Sequence, residues 1–149
     1  MAQTTTAINA CDAAIWLDDE SGTPVDISGS SSTFNLDLTQ DTAKVPTFQS
    51  DWKIVLSCGR GATASLDVVY TTTADEAIDL LKDWFFNYKN TKRTLSLYVP
   101  DKNVGSDHYY GEFLLAGLSI PVSGGAPDPV VVSASLELSG ALTWTVAAT

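Results

Sequence analysis

Apolar and polar residues alternate along most of this chain with a period of two residues. Between Thr33 and Leu38, for instance, every second residue is a large apolar one and the residues between them are polar. Alternation of this kind is typical of antiparallel strands that bury one face and leave the other in water. It predicts a mostly β protein whose strands are residues 13–17, 25–27, 33–38, 62–70, 93–99, 109–120, 130–138 and 142–146.

One segment, residues 74–89, has the period of a helix instead. Thr73 is a candidate N-cap because Glu76 follows three residues later, which is the capping-box spacing. Because the aromatic stripe of this segment is large for a surface helix, we expect the helix to plug one end of a barrel or to cover one sheet. The apolar residues at helical spacing are Ala77, Leu80, Leu81, Trp84, Phe85 and Tyr88.

Residues 39–52 fit neither pattern and are predicted to form a long loop. The segment is mostly polar, yet it contains Val45, Phe48 and Trp52. Long loops within compact domains usually have a functional role, and apolar residues on such a loop favour docking onto another surface. Residues 59–61, Gly-Arg-Gly, are predicted to turn the chain between two strands.

The chain has 149 residues, of which 18 are acidic and 8 basic, and its formal net charge is −10. This length suits one domain, residues 1–149, with one core. The negative charge disfavours binding to the phosphates of nucleic acids and to anionic membranes. No segment approaches the ~20 apolar residues of a membrane-spanning helix, and Met1–Ala10 has no Lys or Arg, so neither a membrane span nor a signal peptide is expected.

The residues that usually take part in catalysis or metal binding are few and scattered. The single histidine, His108, follows Asp107, and adjacent residues on a strand point to opposite faces, so the two do not form a dyad. Two cysteines and one histidine are too few for a zinc site. Cys11 and Cys58 lie among apolar residues and are expected to be reduced and partly buried. We therefore expect no enzyme activity, no catalytic residues, no cofactor and no metal.

Four acidic residues follow the alternation of the strands. Asp37, Asp67, Glu112 and Glu137 each lie within a predicted strand whose apolar residues point the other way. They predict a sheet with one wet, acid-bearing face. An ordinary solvent-exposed face would have the same pattern, because charged residues also discourage aggregation at sheet edges. The strand pattern alone leaves both interpretations open.

Three stretches of the sequence are similar to the major tail tube proteins of long-tailed bacteriophages. They are TFQSDWKIVLSCGRGATASLDVVYTTTADEAIDLLKDWFFNY (47–88), RTLSLYVPDKNVGSDHYYGEFLLAGLSIPV (93–122) and DPVVVSASLELSGALTWT (128–145). The likeness is one of order: a long loop, a strand, a helix, a strand ending in Tyr-Val-Pro-Asp, a strand with Gly-Glu-Phe and a closing Ser-Gly-Ala-Leu-Thr segment. It covers nearly the whole chain and includes no chemical signature motif.

The resemblance implies an antiparallel β-sandwich or barrel with one flanking α-helix, whose copies form hexameric rings. The rings stack into the tail tube of the virion, and their inner sheets join into one larger β-barrel. Genome DNA passes through the bore into the host without specific binding. The other implied partners are the tape measure, tail tip and terminator proteins, and no membrane is involved. The protein would be made in the host cytoplasm and be located in the virion tail.

On this interpretation the acid-bearing face lines the bore and the long loop docks onto the adjacent ring. Val45, Phe48 and Trp52 are the candidate inter-ring contacts. The tube of a contractile tail or of a secretion-type injection system is an alternative, and so is a non-enzymatic β-sandwich binding module. The candidate lumen-facing residues are Asp37, Asp67, Glu112, Glu137, Thr33, Asn35, Thr63, Ser65, Ser133 and Ser135.

Overall fold

The structure is a computed structural model that describes residues 10–46, 48, 51–103, 105–125 and 128–147. Within these residues the chain forms eight β-strands and one α-helix. The predicted mostly β fold with one flanking helix is confirmed. The elements are β1 (Ala14–Asp18), β2 (Pro24–Asp26), β3 (Ser31–Pro46), β4 (Lys53–Val69), α1 (Ala77–Asn87), β5 (Arg93–Val99), β6 (Asp107–Ser119), β7 (Val131–Leu138) and β8 (Thr143–Val146), with short 3-10 helices at Ala10–Asp12 and Ser28–Ser30.

The strands pair antiparallel in one sheet, in the order β2-β1-β5-β6-β7-β4-β3, and β8 also pairs with β6. The two halves of β6 have different neighbours. His108 pairs with both β5 and β8, whereas Phe113 pairs with Arg93 of β5 and Leu138 of β7. Because a strand has only two sides, β7 and β8 lie one after the other along the same side of β6.

The sheet curls around one core, and α1 covers part of that core. Ile78, Leu81 and Trp84 of the helix are buried in the same cluster as Leu66 of β4 and Phe113 of β6. Each fully buried side chain of this kind contributes roughly 1.5–3 kcal/mol relative to exposure to water. The helix therefore covers one side of the sheet, as predicted. Of the three aromatic residues in the predicted stripe, however, only Trp84 is buried, whereas Phe85 and Tyr88 are exposed.

Arg93, at the start of β5, fastens the C-terminal half of α1 to the sheet. Its side chain is buried, its Nη1 donates a hydrogen bond to the carbonyl oxygen of Leu80 (3.4 Å), and its Nη2 lies 3.6 Å from the Asp83 carboxylate. The guanidinium also lies over the rings of Trp84 and Tyr88, at 5.3 and 5.5 Å from their centroids. These contacts fix the position of the aromatic end of the helix.

Helix α1 is shorter than residues 74–89, the range that the sequence predicted. Asp75 has φ of 64°, in the left-handed region, so a right-handed helix cannot include it. Glu76, rather than Thr73, is the N-cap residue, and its side chain makes no capping hydrogen bond. Among the described residues there is no helix long and apolar enough to cross a membrane.

The prediction of a loop over residues 39–52 was wrong for most of its length. β3 continues through Pro46, and β4 begins at Lys53, so the two strands form one long hairpin. The hairpin satisfies its backbone hydrogen bonds by pairing, and this does not require apolar side chains on either face. The polar composition of residues 39–44 therefore concealed a strand.

The prediction of a turn at residues 59–61 was also wrong, because these residues lie within β4. The register changes there: Gln40 pairs with Arg60, and the next pair is Thr42 with Ser57. One residue of β3, Asp41, thus lies opposite two residues of β4, which is a β-bulge. Gly59 is one of these two residues, whereas Gly61 pairs regularly with Thr39. Bulges of this kind bend a strand and increase its local twist.

The expectation that Cys11 and Cys58 are partly buried was wrong, because both side chains are exposed. Cys11 lies in the 3-10 helix before β1, and Cys58 lies beside the bulge in β4. The apolar residues that flank Cys58 in the sequence, such as Leu56, are themselves exposed on the hairpin. An apolar neighbourhood in the sequence was therefore no measure of burial here.

Gly111, on β6, lies close to the end of β7 and to the connection from β7 to β8. A Cβ atom there would lie 2.8 Å from Leu138 Cδ1 and 3.3 Å from the carbonyl oxygen of Ala141. We expect Gly111→Ala to lower the free energy of unfolding by about 1–3 kcal/mol, because the neighbours must move. Gly117→Ala is the matched control on the same strand, since nothing lies within 4 Å of its Cβ position. Equal urea unfolding midpoints for the two variants would contradict this reading.

Candidate functional site: a polar sheet face between two open edges

Strands β3, β4, β7 and β6 are neighbours in the sheet, and their polar residues lie on one face of it. Residues directly opposite each other on paired strands share a face. Nine of the candidate residues fall into three rows across β3, β4 and β7. The rows are Asp37–Thr63–Glu137, Asn35–Ser65–Ser135 and Thr33–Asp67–Ser133.

Glu112, on β6, lies on the same face as these rows. Leu114 pairs with Glu137, and Glu112 precedes Leu114 by two residues, so both point to the side of Glu137. All ten candidate residues are exposed or half-buried. The structure thus brings the predicted set together, and whether this face lines a bore stays a prediction.

The polar face is acidic, and no lysine or arginine within its segments of β3, β4, β6 and β7 offsets the acids. Residues 31–39, 61–69, 107–119 and 131–138 contain no Lys or Arg. Within the face, Ser133 Oγ donates a hydrogen bond to Asp67 Oδ1 (2.8 Å). The carboxylates of Asp37, Glu112 and Glu137 therefore give the face a negative field that extends about 8 Å into physiological salt solution.

A bulge in β6 shifts the alternation of its side chains by one residue. Leu115 pairs with Leu136, and the next pair is Gly117 with Ser135, so Ala116 is the extra residue. After the bulge Gly117 lies on the polar face and Leu118 packs against the core.

The polar face ends at an open strand edge on each side. Among the described residues, the pairings of β3 are all with β4, so the other side of β3 is open along Ser31–Pro46. On β6, Leu114–Ser119 pairs with β7 on one side only, because β5 ends its pairing at Phe113. Open edges present unpaired N–H and C=O groups and are templates for pairing with another chain.

The outer half of the β3–β4 hairpin, Asp41–Cys58, is named here the hairpin arm. Its strand residues are all exposed, and Phe48 and Trp52 near its tip are 101% and 83% exposed. Val45 lies opposite Ile54, and Ala43 lies opposite Leu56, so one face of the arm is an apolar strip. An exposed apolar strip of this kind indicates a contact surface.

The structure therefore places the three candidate contact residues, Val45, Phe48 and Trp52, together on the arm. Sequence reasoning missed Ile54, Val55 and Leu56, which are also exposed there. The run Ile-Val-Leu was a signal for a strand, but nothing local in it shows that the strand leaves the core.

His108 lies within a ladder of aromatic rings on the face of β5 and β6 that points away from the core, which on β6 is the face of Glu112. Its ring stacks on Tyr98 at 4.2 Å and lies 4.7 Å from Tyr110. Asp107 points elsewhere and accepts a hydrogen bond from Trp144 Nε1 at 3.1 Å. Burial, and secondarily the charge of Lys102, lowers the pKa of His108 below its ordinary value.

The lowered pKa predicts that acidification destabilises the protein. The folded state disfavours the protonated form of His108, so the unfolded state binds the proton first, and stability falls as the pH drops through 6.5, the ordinary pKa of His. His108→Phe keeps the ring stack and removes the titration. We expect its free energy of unfolding in urea to change less between pH 7.5 and 5.5 than that of the unaltered protein. An identical pH dependence in the two proteins would exclude His108 as the cause.

No protein-family model matches the sequence, and no curated protein matches it. Solved structures do share its fold. The tail of an empty gene transfer agent particle, with C6 symmetry, matches at 21% identity and a TM-score of 0.73, covering 93% of this chain and 99% of that chain. The SPP1 tail tube matches at 13% identity and a TM-score of 0.74, covering 94% of this chain and 80% of that chain.

A chain of the sheath–tube complex of an extracellular contractile injection system also matches, at 11% identity and a TM-score of 0.70, with 95% of this chain and 93% of that chain covered. At such identities the likeness shows the fold. The fold implied by the resemblance to tail tube proteins is confirmed.

Proposed function

We propose that this protein is the structural subunit of a phage-type tail tube, located in the virion tail, and that it polymerises as stacked hexameric rings. The observation that carries the proposal is the acid-bearing four-stranded face with an open edge on each side. Pairing the open side of β3 in one copy with the open half of β6 in the next would extend the sheet around a ring. The shared fold with the tail of a C6-symmetric particle supports six copies.

The directions of the strands suit this pairing. Three antiparallel pairings separate β3 from β6 within one copy, so the two edge strands run in opposite directions. Copies related by rotation about a ring axis would therefore meet in antiparallel fashion at every junction. Because the two edges differ, the contact is heterologous, and such contacts close into rings when the rotation allows.

The size of the resulting barrel suits passage of duplex DNA. Six copies with four strands each, spaced ~4.8 Å apart and tilted ~40°, give a backbone diameter of roughly 48 Å. Side chains narrow this by about 10 Å. In this arrangement α1 and the layer of β1, β2 and β5 lie outside the wall, and the polar face lies inside.

The acidic lining then has a physical role. Duplex DNA carries one charge per ~1.7 Å of its axis, and lysines or arginines would hold it by counterion release. Carboxylates at Asp37, Asp67, Glu112 and Glu137, among serines and threonines, repel the duplex gently and leave it free to slide. We infer that DNA passes without specific binding.

The hairpin arm would join successive rings through its exposed apolar residues, with Val45, Phe48 and Trp52 as anchors. Aromatic anchors are the residues that contribute most at such contacts. Other tail proteins would meet the ends of the tube, and the structures that share this fold include a tube-terminating cap. These neighbours are tail and tube assemblies, which supports a non-enzymatic role.

A tube of a contractile injection system is the second candidate. A chain of a sheath–tube complex has a TM-score of 0.70 with this chain, close to the 0.74 of the SPP1 tail tube. The two functions differ in whether a sheath surrounds the tube. Isolation of the intact particle with a contracting sheath would favour the second candidate.

Electron microscopy of the purified protein tests the proposal. We expect six-membered rings and hollow tubes, together with particles far larger than the 15.8 kDa chain in light scattering. Monomers at all concentrations would overturn it, as would closed dimers without a bore.

A further inference from the structure

An apolar cleft lies beside the open edge of β3, on the core side of the sheet. Its volume is about 780 Å³, which is within the size range of cavities that enclose a whole ligand. The cleft separates β3 from β1 and β5, so the curled sheet is open along this line. Its main apolar wall residues are Ile15, Phe34, Leu36, Leu38, Leu97 and Val99.

An exposed aromatic pair, Phe85 and Phe86, lies beside the other open edge and is named here the knob. Phe85 and Phe86, in the last turns of α1, pack edge to face at 5.3 Å, and Phe86 is 73% exposed. They border a groove whose other wall includes Leu114 and Leu115, at the start of the open half of β6.

The helix turn that carries the knob is anchored to the rest of the fold through Trp84. Trp84, the residue before it, is buried, and its Nε1 donates a hydrogen bond of 2.7 Å to the carbonyl oxygen of Thr91. The guanidinium of Arg93 lies against Trp84 from the sheet side. Aromatic side chains on an anchored helix turn lose little backbone freedom when they are buried, which suits an interface anchor.

Helix α1, which carries the knob, and the cleft both lie on the core side of the sheet, opposite the polar face, and the groove beside the knob also includes Leu114 and Glu137 of the polar face. Pairing of β6 in one copy with β3 in the next would therefore place the knob of the first copy next to the cleft of the second. We propose that Phe85 and Phe86 of each subunit fill the apolar cleft of the next subunit in the same ring. This inference rests on the proposed function, and it names the contact that closes the ring.

The charges around the two surfaces are complementary. Lys89 and Lys92, both exposed, follow the knob along the chain. Asp12, also exposed, lies between Cys11 and Ala13, which line the cleft. Two lysines beside the knob and one aspartate beside the cleft have opposite charges, which favours a second copy of this chain as the occupant over an uncharged ligand.

Phe86→Asp tests the knob, and Phe48→Asp on the hairpin arm is the matched control. Both side chains are exposed, so we expect both variants to melt at the temperature of the unaltered protein. Phe86→Asp should raise the protein concentration needed for ring formation at least ~30-fold, the effect of losing an interface hot spot. Phe48→Asp should still form rings and fail to stack them. A Phe86→Asp protein that forms rings but no tubes would overturn the inference, because its knob would act between rings.

A cysteine pair tests the contact itself. In a Cys11→Ser, Cys58→Ser background, Phe86→Cys and Leu36→Cys together should give a ladder of disulfide-linked species up to the hexamer on oxidation of assembled protein. Each single variant should give none. Rings or tubes without cross-links would overturn this inference and leave the proposed function standing. Failure of the unaltered protein to form rings would instead contradict the proposed function.

Discussion

Replacing Phe48 and Trp52 by Ser should abolish tubes and leave isolated rings. Both side chains are almost fully exposed near the tip of the hairpin arm, so removing them costs the monomer little stability. In a tube they would be buried against the next ring, and truncation of an aromatic anchor typically costs 2 kcal/mol or more, about 30-fold per contact. Because every ring junction has six such contacts in the proposed tube, the loss of affinity at each contact is multiplied over the junction.

Electron microscopy and sedimentation velocity measure the outcome, with Thr42→Ser as the control on the polar side of the arm. Normal tubes from the Phe48→Ser, Trp52→Ser protein would show that the arm does not join rings. Loss of the rings as well would place the arm in the contact between neighbours within a ring.

Reversing the charge of the polar face should give tubes whose bore retains DNA, whereas the unaltered bore lets DNA pass without specific binding. Asp37→Lys with Glu137→Lys places two lysines in one row of the face, so each ring of six would gain twelve cations facing the bore. A duplex that makes 6–10 phosphate contacts loses ~10³–10⁵ in affinity between 50 and 200 mM salt. We therefore expect DNA in such tubes to be retained at low salt and released as the salt concentration rises.

Protection of DNA from nuclease in assembled tubes is the measurement, since DNA bound outside stays accessible. Glu20→Lys with Asp128→Lys makes the same change of charge at exposed positions outside the polar face. This control should protect no DNA. If the control protected DNA as well as the first variant does, the polar face would not be the lining.

The polar face could be predicted from the sequence because it depends on a local regularity. Side chains such as Asp67 and Ser65 alternate with Leu66 and Ala64, and period two alone assigns them to one side of a strand. Which strands are neighbours is a non-local property. The rows that join Asp37 to Thr63 and Glu137 come from pairing across the chain, and no single segment encodes them.

The hairpin arm and the aromatic knob could not be predicted for related reasons. Leu56 has the residue type of a core position, and Phe85 has both the type and the helical spacing of one, yet both are exposed, as is Phe86. Whether a side chain is buried depends on which residues pack against it in the folded chain. For the same reason the buried Arg93, which looks like a surface cation in the sequence, turned out to lie against Trp84 beneath the helix.

The bulge at Asp41 divides one hairpin into a wall segment and an arm segment whose lengths are independent. Adding two residues to each strand beyond the bulge would lengthen the arm by about 7 Å and keep every side chain on its face. The register of the wall, from Thr33–Asp67 to Gln40–Arg60, would not change. In the proposed tube, the axial rise per ring and the bore diameter would therefore be free to evolve separately.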